Sequence, residues 1–118
     1  MAVVKSYFAA LCLIFSTLDK SSALTGDELQ SHCQIALRDS IETQTEAFES
    51  GVCGGFIRAL LFFGPALGEQ LRFCPPDKVT PWDGMHVLIK YLDAHPEMTD
   101  RPAEPLSVTA FRTAWPCH

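Results

Sequence analysis

Five cysteines and four histidines are the residues of this 118-residue chain best suited by type to chemistry. Cys12 lies in an apolar run near the start, while Cys33, Cys53, Cys74 and Cys117 are spread over the rest. A cysteine nucleophile needs a thiolate and a base within reach. His32 adjoins Cys33, but neighbouring side chains on a helix diverge by about 100°. The pair therefore does not read as a nucleophile with its base. A zinc site needs spacings such as Cys-x-x-Cys or His-x-x-x-His, and neither occurs. His86 and His95 would stand on opposite faces of one helix. His95 precedes Pro96 and reads as a helix-end residue, where a hydrogen-bonding or cationic side chain suits the last carbonyls. No catalytic residue, cofactor or metal is expected.

Four carboxylates, Asp39, Glu42, Glu46 and Glu49, gather in one polar stretch. No glycine-rich phosphate cradle accompanies them. Two readings stand: a solvated face, or a surface that meets a basic protein partner. The second predicts that association slows as salt rises. Trp82 and Trp115 are of the type that anchors interfaces, although Trp115 reads as core from its helical position.

The elements that must position these residues begin after an export signal. Met1 to Lys5 is a short basic start, and Ser6 to Leu18 is apolar but too short to span a bilayer as a helix. Ser21 and Ala23 suit cleavage after Ala23, so residues 1–23 read as a signal peptide and 24–118 as one domain. Losing Lys5, Lys20 and Asp19 leaves seven basic against thirteen acidic residues, a formal charge of −6. An acidic surface argues against nucleic acid and anionic lipid. No second membrane run is expected: Phe56–Leu67 is interrupted by Arg58, Gly64 and Pro65 and reads as core. An even count of four cysteines in a small exported domain favours two disulfides, with three possible pairings.

Four helices account for the domain. Thr25 and Glu28 have capping-box spacing, and Leu29, Cys33 and Ala36 then recur at helical spacing, giving a first helix over about 26–38. Residues 39–46 read as a loop. Cys53, Phe56, Ile57, Leu60 and Leu61 form a wide apolar stripe, broadened by Val52, Phe62 and Phe63, so a central second helix is expected. Gly54 and Gly55 within it suggest close approach of another backbone. Gly64-Pro65 ends or bends it. Thr80, Pro81 and Asp83 mark the start of a third helix, with Met85, Leu88, Ile89 and Leu92 inward and His95-Pro96 as its stop. A fourth begins in 100–104 and runs to Pro116, with Val108, Phe111 and Trp115 inward. Nothing alternates with period two, so the class is all-α: a small four-helix domain of two antiparallel hairpins.

The hairpins choose the pairing. Cys74 lies just before helix three and Cys117 just after helix four, so both fall at the open end of the second hairpin. Cys33 and Cys53 then pair across the first. In the chain-entropy model these two closures contribute about 3 and 4 kcal/mol, comparable with the whole stability of a small domain.

The stretches "LTGDELQSHC", "CGGFIRAL" and "FCPPDKVTPWDGMHVLIKYLDAHPE", followed by "AFRTAWPC", resemble the Rap/Tai-type immunity proteins of type VI secretion over residues 24–117. The most specific part combines Phe-Cys-x-Pro, a capped helix, Tyr-Leu-x-Ala-His-Pro-Glu and a final aromatic-Pro-Cys. The resemblance implies a periplasmic all-helical inhibitor, not an enzyme. Its partner would be an injected peptidoglycan amidase, whose cysteine–histidine cleft it obstructs. Some members act as homodimers. Residues 39–50 and 62–72 depart from the pattern and are candidates for partner specificity. The alternative is a small periplasmic acid-stress chaperone of similar fold, loosened when acidic groups protonate.

Overall fold

The computed structural model describes residues 23–118. The signal peptide expected over 1–23 lies outside the described residues but for Ala23. Four helices follow: α1 (Gly26–Ala36), α2 (Gln44–Phe63), α3 (Pro81–Ala94) and α4 (Ala103–Ala114). Single 3₁₀ turns at Gly64–Ala66 and Pro96–Met98 follow α2 and α3. The domain is all-α, with no strand among the described residues and both disulfides formed, Cys33–Cys53 and Cys74–Cys117. Their Cα–Cα separations, 5.2 and 5.0 Å, lie in the ordinary range.

Local chemistry sets three of the four helix starts. At α1 the Thr25 hydroxyl accepts from Glu28 N and the Glu28 carboxylate accepts from Thr25 N, completing a capping box. Thr80 and Asp83 do the same for α3, with Pro81 at the first helical position. Thr43 caps α2 through Glu46 N. The second helix therefore begins at Gln44, within the stretch read as loop, because a cap and not an apolar residue starts it. Likewise α1 stops at Ala36, two residues short of its expected end.

The start of α4 has no side-chain cap. Instead, Leu24–Asp27 lies against the approach to α4. Ala103 N donates to Leu24 O (2.8 Å), Gly26 N to Arg101 O (2.9 Å) and Asp27 N to Thr99 O (2.8 Å). Chain distant in sequence thus satisfies backbone groups that a helix end leaves open. Contact here requires a glycine: a Cβ on Gly26 would stand 2.6 Å from Leu106 Cδ1 and 3.1 Å from Thr99 O.

The core is built chiefly from α1, α3 and α4: Leu29 and Cys33; Met85, Leu88 and Leu92; Ala103, Leu106, Ala110 and Phe111. α2 adds only Cys53 and Ile57 as fully buried residues, and Phe62 and Phe63 point outward, 77 % and 57 % exposed. The expectation of a central second helix is corrected here. At 20 residues α2 is about 30 Å long, while α1, α3 and α4 have 11, 14 and 12 residues and cannot cover it. By length and composition, Gln44–Ala66 would suffice to cross a bilayer. Here it is tied to α1 by a disulfide and packed on α3.

Close approach also falls elsewhere than expected. Gly54 meets only Met85 Cε at 4.0 Å, and Gly55 faces open space. Besides Gly26, the tight glycines are Gly84, where a Cβ would stand 2.6 Å from Ile57 Cγ2 at the α2–α3 contact, and Gly64, which is packed under the Phe73 ring. Phe73 is fully buried and cannot swing aside. Gly64→Ala is therefore expected to cost about 1–3 kcal/mol by overpacking, read as a lower urea midpoint with unchanged slope. A rise in the midpoint would show that helix propensity outweighs the clash.

Candidate functional site

The four carboxylates singled out in the sequence lie on the α1–α2 loop and the first turns of α2, where they do different work. Glu46 organises the α1–α2 loop. One carboxylate oxygen accepts from Arg38 Nη2 and the other from Glu42 N, both at 2.8 Å. The Glu42 backbone N–H, and next the Arg38 guanidinium, hold its carboxyl below the usual range. Glu49, half-buried, has Oε1 3.9 Å from His32 Nε2. Asp39 and Glu42 remain exposed on the loop. The buried Cys33–Cys53 bridge ties together the two helices that carry the loop. The result is an acidic tip in which Glu46 is bonded within the loop and Glu49 stands beside His32, while Asp39 and Glu42 are exposed.

Asp83 is the other carboxyl held below its ordinary range, by the Thr80 backbone N–H first and then the Thr80 hydroxyl. A group whose folded pKa is depressed stabilises the fold above its unfolded value. That contribution is lost as pH falls through the lowered folded value. The melting temperature is accordingly expected to drop below the ordinary carboxyl range. A Glu46→Gln/Asp83→Asn variant, lacking these contributions already, should fall less steeply. Equal slopes in thermal melts across pH would remove these two carboxylates from the acid response.

The remaining chemistry-bearing side chains are dispersed. His95 caps α3, its Nδ1 2.8 Å from Tyr91 O and its ring stacked on Tyr91 at 4.2 Å, in keeping with a helix-end role. His32 Nδ1 is buried and meets no hydrogen-bond partner among the described residues. His86 and His118 are exposed. Among the described residues no three of His, Cys, Asp and Glu gather as metal ligands, and all four cysteines are bridged. An open cavity of about 820 Å³ beside the second disulfide is lined by Arg72, Arg112 and His118 together with Glu69. A smaller one, about 390 Å³, is lined by Tyr91, His95 and Ala110 between α3 and α4.

Trp115 is half-buried against Phe111, with ring centroids 5.3 Å apart, and its carbonyl accepts from Cys74 N at 2.8 Å. Trp82 is 52 % exposed. Sequence reasoning missed two features. Arg38 is the cation that fixes Glu46, a pairing that eight residues and a turn separate. The outward phenylalanines of α2 looked like core, because an apolar stripe does not reveal how much of it the neighbours cover.

Fold and surface together define a small, doubly stapled helical domain that offers a rigid face and holds its polar side chains in caps and loop bonds. The family model of the Rap1a immunity proteins matches residues 25–117, and the chain belongs to that family. No curated protein matches it.

Proposed function

We propose that the protein is exported, cut after Ala23 and retained in the periplasm, where it protects the cell by binding a peptidoglycan amidase delivered through type VI secretion. It acts by occupying the active-site cleft and carries out no reaction of its own. Membership of the Rap1a immunity proteins over residues 25–117 carries this reading. Bridging of all four described cysteines supports export, since such bridges form and persist in oxidising compartments.

The surface proposed to meet the amidase is the acidic tip. Asp39 and Glu42 reach outward toward a basic rim, while Glu46 and Glu49 hold the loop in shape. Charge reversal at Glu46 would break the Arg38 bond and confuse folding with binding, so the test uses Asp39→Lys/Glu42→Lys. For exposed pairs worth 0.2–1 kcal/mol each, about a tenfold slower association at low salt is expected, with the difference shrinking as salt screens it. Unchanged association would take the tip out of the interface. The class is tested separately by periplasmic co-expression with candidate amidases. Lysis that persists with every one of them, despite good yield of the helical protein, would reject the immunity reading.

A further inference from the structure

Charge is spread unevenly over this domain. Across residues 24–118 thirteen carboxylates outnumber seven arginines and lysines, yet the two cavities beside α4 invert that balance. The larger, next to the Cys74–Cys117 bridge, sets Arg72 and Arg112, with the His118 ring, against the single carboxylate of Glu69. The smaller, between α3 and α4, has Lys90 and no carboxylate. Three of the seven cations and one of the thirteen acids therefore line these spaces. Among the described residues none of the three cations is ion-paired; the pairs are Arg38 with Glu46 and His32 with Glu49. Arg112, in the last turn of α4, suits that helix end by itself. Arg72 in the connector and Lys90 ahead of the last turn of α3 have no such explanation.

Thr113 lines both cavities, so the cationic one adjoins the other. The smaller is walled mostly by apolar surface, from Val87, Tyr91, Ala94 and Ala110. The geometry points to one ligand for the pair: the carboxyl terminus of a peptide whose last side chain is large and apolar. The free carboxylate takes the Arg72 and Arg112 guanidiniums, whose planar forks suit a two-oxygen anion. The side chain lies in the α3–α4 groove against Tyr91. Each cavity excludes a simpler ligand. A bare inorganic anion leaves the apolar groove unused. A long acyl chain needs an enclosed tunnel, whereas about 390 Å³ open to solvent suits one side chain.

This site is at the other end of α2 from the acidic tip. Arg72 and Cys74 flank Phe73, whose ring covers Gly64 at the close of that helix, about 30 Å along it from Gln44. A peptide held there leaves Asp39 and Glu42 free. The inference therefore neither needs the amidase reading nor competes with it.

The test titrates protein purified after expression of the full chain, with no other protein present, and follows proton–nitrogen correlation NMR. The probe is acetyl-Ala-Ala-Phe with a free carboxylate. Saturable shifts centred on Arg72, Ala110 and Thr113 are expected, with a Kd below about 1 mM. The same peptide as its amide should bind about tenfold more weakly, for want of the charge-assisted bonds. Acetyl-Ala-Ala-Ala should also lose about tenfold, the worth of burying a large apolar side chain. Arg72→Gln/Arg112→Gln, at two exposed positions, should weaken the acid by a similar factor and leave the amide unchanged. No saturable shift at millimolar peptide, equal binding of acid and amide, or equal binding of the Phe and Ala peptides would each overturn the proposal. So would octanoate binding as tightly as the Phe peptide, which would make the ligand an acyl chain.

Discussion

Replacing both Cys74 and Cys117 by alanine is expected to lower the melting temperature by roughly 15–30 °C. The bridge closes 43 residues, which the chain-entropy model values at about 4 kcal/mol. In a domain of this size each kcal/mol moves the melting temperature by about 4–8 °C. Cys74 is exposed and Cys117 half-exposed, so little packing is lost and the effect isolates chain closure. What remains at that end is the Cys74 N to Trp115 O bond and the packing of Trp115 on Phe111. Scanning calorimetry of the variant beside parent protein reduced with dithiothreitol checks the result. A fall below about 5 °C would mean that the unfolded chain is already compact around this loop.

The second large effect belongs to Phe73. This residue lies in the connector 67–80, outside every helix, yet is fully buried. Its ring covers Gly64 and meets Phe111 edge-on, with centroids 5.2 Å apart. It joins the end of α2 to the last turns of α4 and holds the chain beside Cys74. Phe73→Ala is expected to cost about 3–5 kcal/mol, against less than about 0.5 kcal/mol for the exposed Phe62→Ala. Urea unfolding gives both values. Because Phe73 and Gly64 touch, their substitutions should not add: Gly64→Ala should cost less once the ring is gone. Additive losses would place the strain of Gly64→Ala elsewhere.

These expectations bear on function through rigidity. A protein that plugs a cleft gains affinity when its contact surface is already ordered, since less entropy is lost on binding. The Cys33–Cys53 bridge between α1 and α2 and the Glu46 bonds within the tip provide that order. On the proposed function, a Cys33→Ala/Cys53→Ala variant should therefore bind the amidase more weakly.

Much of the architecture could be read from residues that act locally. Thr25 with Glu28 and Thr80 with Asp83 announce their helices because a cap needs only three residues of context. Pro96 stops α3 through its own ring. The cysteine pairing followed once four helices were placed in two hairpins. Signals that depend on neighbours were harder to read. Val52 through Phe63 has one apolar pattern whether its outer part is covered or bare, and nothing local distinguishes the two.

The sequence by itself determined the helices, their order, the two bridges and the place of the acidic stretch, because caps, prolines and cysteines act over short or covalent range. Only the tertiary structure decided which apolar residues are buried. It set Gly84 and Gly64, instead of Gly54 and Gly55, at the close contacts, and paired Leu24–Asp27 with the approach to α4. It also bonded Glu46 to Arg38 and set Glu49 beside His32 while leaving Asp39 and Glu42 exposed. Burial depends on the lengths and packing of all four helices together, and no window along the chain contains that sum.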